Sequence, residues 1–466
     1  MTSPRNTRRP ENNNRARIQP ARRIAYEVLR AVHESDAYAN LLLPSKLAEA
    51  RLSEADAGLA TELTYGTLRR QGYYDRVLAL VTGRPLDKLD PEVLDVLRLG
   101  AHQLLSMRVA PHAAVDESVA LVAAAGKRSA TGFANGVLRT LTRSSPQEWR
   151  GRALAGLAGD RLRAAEQAHP LWIVEAFRAA LDAEGRAEEL DELLAADNAA
   201  PRVSLVALPG LSTPDEVGEP GDVSPIAARS RGGDPAANTV VASGRARVQD
   251  EGSQLAALAL SRARPVVEGE RWLDLCAGPG GKAAVLAAEA ALGGVTLLAN
   301  EVMPARAQLV RNALAVFASP PEVVVNDGRD VASSGETFDR ILLDAPCTGL
   351  GALRRRPEAR WRKQPGDIAE LTRLQAELLD AAVSVLAPDG ILAYVTCSPH
   401  LAETRDVIEG VMARHPELSA LDTPSVLAGI ATRPLALGAT MHAQLWPHRH
   451  GTDAMFIQLL TRRVVS

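Results

Sequence analysis

A chain of 466 residues is too long for one ordinary domain, and two or three are expected. Hydrophobic residues at 46% and charged residues at 23% make an ordinary globular composition, with enough apolar material for a core. A formal net charge of -3 excludes a global attraction to nucleic acid, so such binding must come from local basic patches; three cysteines without metal-like spacing exclude a disulfide framework or a zinc site, and no run of about 18 uncharged apolar residues predicts a membrane span.

The first 23 residues carry Arg5, Arg8, Arg9, Arg15, Arg17, Arg22 and Arg23 against a single acid, Glu11. They lack the apolar core of a secretory signal, and Pro10, Asn12–Asn14 and Pro20 oppose the amphipathic helix of a transit peptide. Residues 1–20 therefore read as a disordered basic arm, either touching an anionic partner or merely solvated. From 21 to 144 the pattern is helical. Ile24, Val28 and Val32 form one stripe, Ser53-Glu54-Ala55-Asp56 resembles an N-terminal cap, and Asp90-Pro91 opens a helix through Val93, Leu97 and Leu104. Pro111 begins a further segment with Val115, Val119 and Leu121. The tyrosines of this part (Tyr26, Tyr38, Tyr65, Tyr73, Tyr74) are expected mostly in its core. Residues 145–247 read as a connecting subdomain: helices to about 200, including Trp172–Phe177, then Pro/Gly/Ser/Asp-rich loop chemistry between Pro209 and Ala246, with Val203–Val206 as the one convincing strand.

From 248 to 466 short apolar runs alternate with helical patterns. Trp272-Leu273, Val295–Leu298, Val323–Val325, Ile341–Leu343 and Ile391–Val395 read as strands; Lys282–Ala291, Pro304–Val316 and Asp367–Leu386 read as helices. The fold class is thus multidomain, an all-α bundle followed by a doubly wound, Rossmann-like α/β domain. In such sheets ligands bind at the carboxyl ends of the strands. All three cysteines fall there: Cys276, Cys347 and Cys397.

Cys276-Ala277-Gly278-Pro279-Gly280-Gly281-Lys282 follows a strand and opens a helix, so its glycines let backbone approach a ligand. It is not a phosphate-binding P-loop, because Cys276 and Ala283 occupy positions that need glycine and a hydroxyl. Glu301 ends the second strand, where an acid can accept from both ribose hydroxyls. Asp327 ends the third, within reach of an adenine amino group. Together they point to an adenosine-containing cofactor, either S-adenosylmethionine or a dinucleotide.

The cofactor loop, Asp344-Ala345-Pro346-Cys347-Thr348-Gly349 and Thr396-Cys397-Ser398 together resemble the signature motifs of the Nop2/Sun family of RNA 5-methylcytosine methyltransferases. The front end, through Thr61–Arg70, Val96–Leu105 and Asn135–Arg139, resembles the NusB-like domain of the bacterial Sun (RsmB-type) members. The resemblance implies S-adenosylmethionine as cofactor and small-subunit ribosomal RNA as substrate. It further implies Cys397 as the nucleophile on cytosine carbon 6, Cys347 as the group that assists release, and Asp344 as a contact to the base or to the methionine end of the cofactor. Carbon 5 of cytosine is a poor nucleophile until a thiolate adds beside it, and a free thiol is only a few per cent ionised at neutral pH, so Cys397 needs activating surroundings. Cys276 is assigned packing in the cofactor loop.

Arg354, Arg355, Arg356, Arg360 and Lys363, with Arg362 and Trp361 among them, directly follow the Cys347 loop and are expected to contact RNA phosphates. The target base must be single-stranded or flipped out. A cytoplasmic monomer without metal or membrane is expected. Four departures from the family pattern stand out: Gly278 for alanine, Glu301 for aspartate, Asp453-Ala454-Met455-Phe456 for Asp-Gly-Phe-Phe, and Leu205–Leu208 without the polar pair of the usual middle strand. Two alternatives remain in view: a dinucleotide-dependent dehydrogenase, which leaves both thiols unexplained, and a non-catalytic RNA-binding assembly factor.

Overall fold

The computed structural model describes residues 18–35 and 37–463, so the basic arm up to residue 17 lies outside the described residues. The chain divides into two units, one ending at Leu157 and one beginning at Ala158. Among the described residues no helix is long and apolar enough to cross a membrane.

The first unit is helical. In the helix Pro20–Glu34 the stripe Ala21, Ile24, Ala25, Val28, Leu29 and Val32 is buried, as its spacing predicts. Ser53 caps the helix Glu54–Thr82 by accepting from the Asp56 N–H. Proline opens the helix Pro91–Ser106, but the Asp90 carboxylate does not cap it and lies 3.4 Å from Lys127 instead. Tyr73 and Tyr74 join the core while Tyr38 stays exposed. The buried Tyr74 hydroxyl is satisfied by His102 and Ser106, both at 2.8 Å. Gly66 is required for space: a Cβ there would lie 2.3 Å from the His102 ring. Gly66→Ala is therefore expected to destabilise this unit by roughly 1–3 kcal/mol despite the better helix propensity of alanine, read as a lowered urea midpoint.

The helix Pro146–Leu154, expected in the connecting segment, belongs to this first unit. A capping box of Ser145 and Glu148 starts it, the Trp149 indole donates to the Leu141 carbonyl at 2.9 Å, and Arg76 donates to the Ala153 carbonyl at 3.1 Å.

In the second unit the helices Gly159–Glu166, Leu171–Asp182 and Leu190–Asn198 share a core in which Ile173, Val174, Phe177, Leu193 and Leu194 meet Leu350, Leu353 and Trp446. They thereby pack onto the part of this unit that carries the large sheet. Next comes a small antiparallel sheet, order β2-β3-β1-β4, of β1 (Ser204–Ala207), β2 (Glu219–Pro220), β3 (Ala227–Arg229) and β4 (Ala246–Val248). Only β1 was legible in the sequence, because strands of two or three residues are too short to show alternation.

The large sheet runs β10-β12-β9-β8-β5-β6-β7, with β11 paired to β12. Its parallel part is β5 (Arg271–Asp274), β6 (Thr296–Asn300), β7 (Glu322–Val324), β8 (Phe338–Asp344) and β9 (Leu386–Thr396). The antiparallel extension of β10 (Leu418–Ala420), β11 (Ala443–Leu445) and β12 (Met455–Arg462) was not anticipated. The helix expected to reach Leu386 stops at Ser384, and Leu386 instead begins β9. After β5 the chain winds outward to β6 and β7 and then returns to β8 on the other side. The switch point lies between β5 and β8, and in sheets of this kind ligands bind at the carboxyl ends of the strands there.

Candidate active site

Five strand ends supply the site. β5 ends at Asp274 and leads into the glycine loop, whose helix, Gly281–Gly293, begins at Gly280 with φ +101°. That left-handed backbone favours glycine, and a Cβ there would also lie 2.7 Å from Ala313. β6 leads to Glu301, whose carboxylate is almost fully buried. It accepts from the Gly278 N–H at 3.0 Å and the Met303 N–H at 2.9 Å, while Arg306 pairs with it at 3.4 Å and also donates to the Gly278 carbonyl. A carboxylate has about four acceptor positions, so two backbone bonds leave room for ligand hydroxyls. After β7, Asp327 accepts from the Arg329 N–H and guanidinium and remains at the surface.

β8 and β9 bring the two thiols together. Cys397 follows Thr396 directly and Cys347 lies three residues beyond Asp344; their sulfurs are 3.5 Å apart. Lys282, buried at the start of the loop helix, donates to Asp344 at 2.8 Å and so joins the glycine loop to the Cys347 strand end. Burial alone would push the Lys282 ammonium down, but Asp344 and the Cys397 thiolate hold it raised. The hydrogen bond from Cys347 pulls the Cys397 thiol below the ordinary value; burial and Asp344 oppose this, and the charges of Lys282 and Arg356 assist it. Cys347 is raised well above the ordinary value, first by that same hydrogen bond and then by burial. The pair is thus asymmetric, with the anion favoured on Cys397 and the proton on Cys347. Cys276 is pushed up by burial beside Asp274 and Asp344, which suits a packing role.

One consequence is measurable without substrate. Cys347→Ala removes the main cause of the low Cys397 value, so the pH profile of Cys397 alkylation by iodoacetamide should move to higher pH. The rate at neutral pH should fall severalfold, followed by peptide mass spectrometry; an unmoved profile would show that Cys347 does not activate its neighbour.

Asp274 was not singled out in the sequence. Its side chain is fully buried at the end of β5, with no partner beyond a weak approach of the Cys276 N–H. Burial, reinforced by Asp344 and opposed by Lys282, raises its carboxyl to about 8. The available signal was a charge inside the apolar run Leu273-Asp274-Leu275.

Residues 263–461 match the family described as 16S rRNA methyltransferase RsmB/F, and residues 19–143 match the NusB family. The ribosomal RNA small subunit methyltransferase B of Pseudomonas putida is 34% identical over 415 residues, spanning 86% of this chain and 91% of its own. The chain belongs to the RsmB/F family of 16S rRNA methyltransferases. Another relative, MT1451 of Mycobacterium tuberculosis, is 46% identical over 463 residues, 98% of this chain and 99% of its own. The crystal structure of PH0851 has the same fold, with a TM-score of 0.79 at 23% identity over 95% of this chain and 99% of that one.

In this RsmB/F-family chain the basic run after Cys347 departs from the sequence expectation. Arg360 is fully buried: it donates to the Asn198 side chain at 2.7 Å and to the Asp197 carbonyl at 2.8 Å, and so cannot serve as a phosphate contact. Arg354 bridges Asp250 at 2.7 Å and Asp453 at 3.0 Å, and Arg355 pairs with the same buried Asp453. These two guanidiniums dock the loop internally. Arg356 and Lys363 stay partly exposed, and Arg356 lies close enough for its charge to favour the Cys397 thiolate.

Proposed function

We propose that this protein methylates carbon 5 of a cytosine in ribosomal RNA, using S-adenosylmethionine and a transient bond between Cys397 and carbon 6. The observation that carries this reading is the pair of sulfurs 3.5 Å apart at the carboxyl ends of β8 and β9, one favoured as thiolate and one as thiol, beside the Lys282–Asp344 link to the glycine loop.

The residues at β5–β7 suit the cofactor. The Asp274 carboxyl is buried without a strong partner, Gly278, Gly280 and Gly281 carry no side chain, Glu301 keeps acceptor positions for ribose hydroxyls, and Asp327 lies just beyond the third strand. When bound, S-adenosylmethionine would supply the methyl group as a sulfonium and leave as a neutral thioether.

The Cys397 sulfur adds to carbon 6 of an unstacked cytosine, and the displaced ring electrons make carbon 5 nucleophilic enough to accept the methyl group. Lys282 holds Asp344 beside this step. Release then requires loss of the carbon 5 proton, re-formation of the 5,6 double bond and departure of Cys397 as thiolate. Cys347 is the neighbouring base. Its raised value comes first from Cys397, and a sulfur bonded to carbon no longer bears the charge or accepts the bond. Once Cys397 is spent on the ring, Cys347 loses its proton to water more readily and can accept the one from carbon 5.

The test is transfer of labelled methyl from S-adenosylmethionine to 16S rRNA, naked and in small-subunit particles, with bisulfite mapping of the product. Label in 5-methylcytosine is expected. Label in another base would refute the assigned chemistry, and NADH binding without methyl transfer would favour the dehydrogenase.

A further inference from the structure

Glu403 ends a short turn, Leu401–Glu403, is fully buried, and makes its hydrogen bonds to uncharged donors. A buried carboxylate is costly unless its acceptor positions are filled. Here they are filled from both thiol loops. Thr348, the residue after Cys347, donates its N–H to Oε1 at 2.7 Å and its hydroxyl to Oε2. Ser398, the residue after Cys397, donates its hydroxyl to Oε2 at 2.6 Å, and the two hydroxyls are themselves 3.1 Å apart. Gln375 completes the frame, donating to Oε1 at 3.3 Å and to the carbonyl of Pro346, just before Cys347, at 2.8 Å. One carboxylate therefore ties together the residues that immediately follow each reactive cysteine. A tie needed only for folding could join any two points of these loops; this one joins the two positions that set the sulfur–sulfur separation.

We propose that Glu403 is a positioning residue that holds Cys347 against Cys397, so that loss of its carboxylate slows release of the RNA more than its capture. This rests on the reaction proposed above. Cys397 can still add to the ring when Cys347 has drifted, but the proton at carbon 5 then has no nearby acceptor. The charge of Glu403 also helps keep Cys347 protonated until Cys397 is engaged.

Two measurements on the full chain test this. Dibromobimane bridges only neighbouring thiols, and its fluorescence reports the Cys347–Cys397 separation in the free protein, whatever reaction they perform. Glu403→Ala should slow bridging at least tenfold. Glu403→Gln should fall between it and the parent, because an amide oxygen placed to accept both hydroxyls sets its NH2 group against the Thr348 N–H. With RNA and S-adenosylmethionine, Glu403→Gln should accumulate a denaturation-resistant protein–RNA species although both cysteines are present, as Cys347→Ala does. Ser398→Ala, which removes one bond to the carboxylate together with the acceptor of the His400 N–H, gives a weaker version of both effects should the Glu403 variants fail to fold. Parental bridging rates in Glu403→Gln and Ser398→Ala would overturn the proposal. If Cys347→Ala itself traps no RNA, the reaction assignment fails, and the bridging rates still decide the positioning role.

Discussion

Cys397→Ala should abolish methyl transfer, lowering the rate by at least about 10⁴-fold, because removing a covalent nucleophile leaves only binding and orientation. Cys347→Ala should also lose turnover but by a different route: capture and methylation proceed, release stalls, and an RNA-linked band survives denaturing electrophoresis. The double variant should show no band. The asymmetry follows from the sulfur pair, in which the hydrogen bond favours the anion on Cys397 and the proton on Cys347. A band that forms with Cys397→Ala and not with Cys347→Ala would reverse the two roles. Cys397→Ala turning over at the parental rate would end the covalent reading altogether.

The second large effect concerns the cofactor cradle. A Cβ on Gly278 would lie 2.1 Å from Oε2 of Glu301 and 2.9 Å from the Arg306 guanidinium. Because Glu301 is buried and pinned by two backbone N–H groups, it cannot swing away without giving up at least one of them. Gly278→Ala should therefore weaken S-adenosylmethionine binding by about 10- to 100-fold, the loss of one or two charge-assisted bonds. Glu301→Asp alone retracts the carboxylate from Gly278 and should weaken it comparably. Combined, the shorter acid vacates the space that the methyl group needs, and most of the affinity should return. Titration calorimetry on the three variants measures the coupling; strict additivity would show the two positions to be independent. The two departures from the family pattern, glycine for alanine and glutamate for aspartate, would then be one feature: the added methylene of the acid occupies the volume of the missing methyl.

How much was legible depended on whether a property was local. Of the parallel strands, β5, β8 and β9 were readable because strands buried on both faces are near-continuous apolar runs, whereas the half-exposed edge strand β7 showed only as a run of β-branched residues. The thiols and the glycine loop were readable because turn chemistry and reactive side chains lie within a few residues of one another. β10 to β12 were not, since short strands on an antiparallel edge resemble loops. The basic run after Cys347 shows the failure most clearly. Arg354, Arg355 and Arg360 look alike in sequence, yet their partners Asp250, Asp453 and Asn198 lie roughly 100 to 160 residues away along the chain. Glu403 carried no local signal either, being one acid in a polar turn.

The amino-acid order alone established a helical front part, a wound α/β catalytic part, and the reactive groups at its strand ends, because each is written in short-range periodicity and motif. The folded chain decided which cations are consumed by buried acids, which sulfur is favoured as the anion, and that Gly278 and Glu301 press against each other. Those outcomes depend on desolvation and on distances of a few ångströms between segments that only the closed sheet brings into contact, and no local pattern encodes them.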